Sequence, residues 1–72
     1  MNSVSKVAFL GLGTMGYPMA GHLANAGYPV CAYNRTASTA ERWAEQYGGI
    51  SASSPKDAAH GADVVFACVG ND

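Results

Sequence analysis

The run Gly11-Leu12-Gly13-Thr14-Met15-Gly16 limits what this chain can become more than any other feature. Glycine at its first, third and sixth positions permits turns and close approaches that a side chain would block. A short apolar run precedes it at residues 6–10 (KVAFL), and Met15, Met19, Leu23 and Ala26 follow at helical spacing. A strand that breaks at glycine and returns as a helix begins a βαβ unit, so the rest of the chain must supply a parallel partner strand.

It does so in sequence order. The first helix tolerates Pro18 in its opening turn and meets Gly27 where helices often stop. Residues 28–33 (YPVCAY), with Pro29 at their start, place a second strand at 30–33. Ser38 and Thr39 precede Ala40, Trp43, Ala44 and Tyr47 at helical spacing, with Glu41 and Glu45 early and Gly48-Gly49 as the stop. Residues 50–52 suit a brief strand, Ser54-Pro55 opens a short helix through His60, and residues 62–69 (ADVVFACV) form the strongest strand signal. The expectation is an α/β fold with parallel strands near 6–10, 30–33, 50–52 and 63–69 in the order 3-2-1-4, joined by right-handed crossovers with flanking helices. This arrangement is the amino-terminal half of a Rossmann dinucleotide-binding domain. Neighbouring strands lie about 4.8 Å apart, so Cys31 and Cys68 should sit about 10 Å apart, too far for a disulfide, as free and buried thiols.

Composition excludes several classes. Hydrophobic residues make up 49% and charged residues 12%, which favours buried secondary structure over disorder. Four basic residues (Lys6, Arg35, Arg42, Lys56) are scattered against five acidic ones, so no basic stripe suggests a nucleic-acid or anionic-membrane surface. No apolar run reaches the roughly 18 residues of a membrane span, and MNSVSK lacks the pattern of a secretory signal, which makes the cytoplasm the expected location.

In the glycine run, Gly11 suits the tight turn, Gly13 clears space for a pyrophosphate, and Gly16 lets helix and sheet come close. Leu12, Thr14 and Met15 complete the turn, whose N–H groups and helix dipole favour an anion. The absence of G-K-[ST] excludes a P-loop. S-adenosylmethionine and FAD use related turns, so the turn alone does not choose the cofactor. The end of the second strand supplies the choice. There an NAD site places a carboxylate for the ribose hydroxyls, whereas this chain carries Asn34-Arg35-Thr36. Arg35 can pair with a 2′-phosphate, and the Asn34 amide and Thr36 hydroxyl can donate to it, which favours NADP(H) with NAD as the alternative.

Residues 7–36, VAFLGLGTMGYPMAGHLANAGYPVCAYNRT, closely resemble the opening of the β-hydroxyacid dehydrogenase family. That family includes 3-hydroxyisobutyrate dehydrogenase, tartronate semialdehyde reductase and the glyoxylate/succinic semialdehyde reductases. Its G-L-G-x-M-G-x-P-M-A run is matched by residues 11–20, and N-R-T resembles the NADPH-using reductases, since relatives that use NAD generally carry Asp at the position of Asn34. His22 stands where many relatives have Asn. Residues 50–55 and 62–72 resemble the family's third and fourth strands, which implies that Val69, Gly70 and Asn71 border the cofactor.

The resemblance further implies hydride transfer to or from a small 3-hydroxy acid or semialdehyde, and a homo-oligomer built through a helical carboxyl-terminal domain. The family's substrate segment and catalytic lysine fall beyond the residues seen here. Lys6 begins a strand away from the glycine turn, Lys56 starts a short helix, and His22 and His60 lack partners at diagnostic spacing, so no catalytic residue and no metal ligand set is assigned. Residues 1–72 are therefore expected to be a partial NAD(P)-binding domain, the amino-terminal portion of a longer enzyme and inactive alone. A non-catalytic NADP(H)-sensing module and an inert truncation product are the alternatives.

Overall fold

The computed structural model describes residues 5–67. The chain runs β1 (Val7–Leu10), α1 (Gly16–Asn25), β2 (Val30–Tyr33), α2 (Ala37–Tyr47), β3 (Ile50–Ser51), α3 (Pro55–Ala59) and β4 (Val64–Ala67). Its four strands form one parallel sheet in the order β3-β2-β1-β4, the order expected from the sequence. Cys68 and the last residues expected in the fourth strand lie outside the described residues.

Pairing is in step from the start of the central strand. Val7 lies beside Val30 and Val64, and Leu10 beside Tyr33 and Ala67. Pro29 has no N–H to offer, but its carbonyl accepts from the Val7 N–H at 2.9 Å. On the other side, the Lys6 N–H donates to the Asp63 carboxylate at 2.8 Å, while the Lys6 carbonyl accepts from the N–H groups of Asp63 and Val64 at 2.8 and 3.2 Å. These contacts fix where β4 begins and, through it, the alignment of all three long strands.

Side chains alternate across the sheet. One face presents Val7, Phe9, Val30 and Ala32 to Ala20 of α1 and to Ala40 and Trp43 of α2, with Leu12 closing the cluster above the turn. On the opposite face Ala8 and Ala58 are buried where α3 packs against β1 and β2.

Helix α1 forms where the spacing of Met15, Met19, Leu23 and Ala26 places it, with Leu23 packed against the core, but Met15 and Met19 are 70% and 44% exposed, and the helix buries Gly16, Ala20 and Gly21. The reason is distance: α1 approaches its neighbours through its smallest residues, and Gly21 leaves the space that the Tyr47 ring of α2 fills. Tyr17 and Tyr47 meet edge to face at 6.0 Å, and the Tyr17 hydroxyl donates to the Gln46 side chain at 2.8 Å. The helix ends as the sequence suggests. With Gly27 at φ 101, the N–H groups of Gly27 and Tyr28 reach back to the carbonyls of Ala24 and Leu23, both at 3.1 Å, as in a Schellman motif.

Gly48 closes α2 with φ 75, and the Ser54 hydroxyl caps α3 by accepting from the Asp57 N–H at 3.0 Å. The apolar strand β4 is paired to β1 but exposed along its length, although Phe66 stacks on Phe9 at 5.3 Å. Cys31 is a free thiol, half-buried rather than buried. Burial raises its pKa, opposed by the positive charge of Lys6 and reinforced by Asp57, so it stays protonated at neutral pH.

A methyl group on Gly49 would collide with the Trp43 indole and lie 3.0 Å from the Val30 carbonyl oxygen. Gly49→Ala is therefore expected to destabilise the fold by about 1–3 kcal/mol. Chemical denaturation of the complete polypeptide carrying this segment measures it, and an unchanged midpoint would show that Trp43 is not seated there.

Candidate functional site

The glycine turn follows β1 at the carboxyl end of the sheet, where open α/β sheets hold their ligands. Gly11 has φ 96, a conformation that suits glycine, and its N–H donates to the Tyr33 carbonyl at 2.7 Å. Leu12 then turns into the core, fully buried, and its N–H donates to the Asn34 side-chain oxygen at 2.8 Å. Gly13, Thr14 and Met15 are exposed, and Tyr17 begins the helical bonding by donating to the Gly13 carbonyl at 3.1 Å.

Two observations suit this turn to an anion. Among the described residues no group accepts from the N–H of Gly13, Thr14 or Met15, and the first turn of α1 carries no acidic residue. A Cβ built on Gly13 would meet nothing within 4 Å, so its missing side chain leaves open space over those N–H groups. Gly16, by contrast, is buried where α1 meets the core, as its place in the motif requires.

The second arm of the site follows β2. Asn34 is half-buried, while Arg35 and Thr36 are exposed. The sequence suggested an Asn34 amide facing a ligand phosphate. In the structure its oxygen is taken by Leu12 and its nitrogen donates to the Thr36 carbonyl at 3.3 Å. The Thr36 hydroxyl makes no capping bond to α2. Beside this loop lies a shallow depression lined by Ala37, Glu41, Ser51, Ala52 and Ser53, which the sequence reading did not single out. Its only sequence signal is that β3 ends next to β2 in the expected strand order.

Val69, Gly70 and Asn71 lie outside the described residues. Lys6 sits at the opposite end of β1 from the turn, and Lys56, His22 and His60 are exposed. Among the described residues no three His, Cys, Asp or Glu side chains gather to hold a metal, and no helix is long and apolar enough to cross a membrane.

Residues 6–72 match the NAD binding domain of 6-phosphogluconate dehydrogenase. The chain belongs to that family. An uncharacterized oxidoreductase of Shewanella frigidimarina (strain NCIMB 400) is 62% identical over 69 residues, which are 96% of this chain and 24% of the relative. A solved 3-hydroxyisobutyrate dehydrogenase of Mycobacterium tuberculosis, with L-serine, superposes with a TM-score of 0.83 at 36% identity over 93% of this chain and 23% of its own. A reductive aminase of Aspergillus terreus, in complex with NADPH and ethyl levulinate, gives a TM-score of 0.79 at 30% identity, again over 93% and 23%. The chain thus spans about a quarter of the length of these relatives. Its family assigns a nicotinamide dinucleotide as cofactor, and the open space over the glycine turn, with N–H groups that find no acceptor among the described residues, suits an anion such as the pyrophosphate of such a molecule.

Gly13→Ala separates binding from folding. Because the added methyl meets nothing in the protein, the melting temperature should not move, while dinucleotide affinity falls roughly tenfold or more. Thermal melting and a fluorescence titration with NADPH measure the two effects, and unchanged affinity would place the pyrophosphate elsewhere.

Proposed function

We propose that this segment binds the cofactor of an NADP(H)-dependent oxidoreductase that moves hydride between nicotinamide and a small 3-hydroxy acid or semialdehyde. In this reading residues 1–72 form the first part of an NAD(P)-binding domain, and further chain supplies the substrate contacts and the proton-transfer group. The observation that carries the NADP(H) preference is Arg35, exposed beside the glycine turn in a loop, Asn34-Arg35-Thr36, that holds no carboxylate. The NADPH bound to the similar reductive aminase supports the same choice.

When bound, the dinucleotide accepts or donates the hydride. This chain's own residues place it. The N–H groups of Gly13, Thr14 and Met15 hold the pyrophosphate, with Gly11 shaping the turn, Leu12 anchoring it and Gly16 seating the helix behind it. The Arg35 guanidinium pairs with the 2′-phosphate, and the Thr36 hydroxyl donates to it. Val69, Gly70 and Asn71 complete the border in the sequence reading.

Arg35→Ala should weaken NADPH binding by roughly ten- to a hundredfold, the loss of a charge-assisted contact, and leave NADH nearly unchanged. The ratio of kcat/KM for NADPH over NADH in the complete polypeptide, at fixed ionic strength, measures it. A wild-type ratio below one, or a ratio unmoved by the substitution, would remove Arg35 from the site.

The 72-residue chain alone should show no turnover with any hydroxy acid, and NADP-dependent oxidation that survives rigorous purification would contradict that.

A further inference from the structure

An anion turn holds its N–H groups in place only as firmly as the helix behind it is held. Here that helix bonds back to the turn through Tyr17, whose N–H donates to the Gly13 carbonyl at 3.1 Å. The Tyr17 side chain in turn joins α1 to α2 at two points. Its ring meets the Tyr47 ring edge to face at 6.0 Å, and its hydroxyl donates to Gln46 Oε1 at 2.8 Å. Tyr47 is itself fixed from both sides, seated where Gly21 has no side chain and 5.8 Å from the fully buried Trp43 ring. A row of three rings therefore runs from the core to the first turn of α1 and ends one backbone hydrogen bond from Gly13.

We propose that Tyr17 is a positioning residue: anchored on Tyr47 and Gln46, it holds the Gly13–Met15 turn in its anion-binding shape before a ligand arrives. The proposal rests on the reading of this turn as the dinucleotide site. A turn that is already ordered spares the ligand the cost of ordering it, so a looser Tyr17 weakens binding without any contact to the ligand. The pyrophosphate is common to NADPH and NADH, so both must lose affinity equally. Gln46 stands ten residues after Thr36, roughly 15 Å along the axis of α2, which keeps its effect apart from the Arg35 loop. Tyr17 and Gln46 act as one unit in this arrangement, because the hydroxyl holds nothing once its acceptor is gone.

The test uses the complete polypeptide, with binding titrations of NADPH and NADH and hydrogen exchange of the Tyr17 amide in the ligand-free protein. Tyr17→Phe, which keeps the ring and removes the hydroxyl, and Gln46→Ala should each weaken both dinucleotides by the same factor, roughly three- to tenfold. The double variant should be no weaker than either single one, the non-additivity of two groups that share one bond. Gln46→Ala should also speed exchange of the Tyr17 amide by a similar factor, while the amides of Phe9 and Ala32 keep their protection. A hydroxyl that touches the ligand directly predicts otherwise: Tyr17→Phe weakens binding and Gln46→Ala does not, which would overturn the proposal. So would unequal losses for NADPH and NADH, additive losses in the double variant, or a lower melting temperature with unchanged affinity. A wild type that binds neither dinucleotide would count against the dinucleotide reading instead, because Tyr17 exchange in the ligand-free protein needs no cofactor.

Discussion

The site depends on the in-step parallel pairing of β1 with β2. Because Val7 lies opposite Val30, the strands reach the same end of the sheet together, and Gly11 emerges beside Tyr33. Two bonds then fasten the glycine turn to the neighbouring strand end, from Gly11 to the Tyr33 carbonyl and from Leu12 to the Asn34 side chain. A slip of one residue would reverse the face of every side chain in β2 and separate the turn from the Asn34 loop. Register is therefore a functional requirement as well as a structural one.

Packing above the sheet follows from the same need for closeness. The N-terminus of α1 must lie near the end of β1 if its N–H groups are to face a ligand, and only small residues allow that approach. Gly16, Ala20 and Gly21 supply it, while bulk comes from the other helix, through Trp43 and Tyr47, whose rings lie 5.8 Å apart. The division of labour explains why α1 is poor in large buried residues and α2 is anchored by the only tryptophan.

Much of this was legible in the sequence. The glycine spacing, the alternation of strand and helix, and the stops at Gly27 and Gly48 each act locally, so residue order carried them into strand order and helix limits. The spacing of Met15, Met19, Leu23 and Ala26 located α1 but not its buried face, because which face packs depends on how close the helix must come. Exposure of β4 was equally hidden, since an apolar run signals a strand and not what covers it. Asn34 was singled out as a candidate from its place after β2, but its bonds to Leu12 and Thr36 are contacts that only the folded chain creates.

The claim beneath these conclusions is spatial: one ligand lies across the glycine turn and the Asn34 loop. Amide chemical-shift mapping of the complete polypeptide during titration with NADPH tests it most directly. The account predicts the largest changes at Gly13, Thr14, Met15 and Arg35, with little change in α3 on the opposite face of the sheet. Changes centred on α3, or a saturable titration that leaves the Gly13–Met15 amides unmoved, would contradict it.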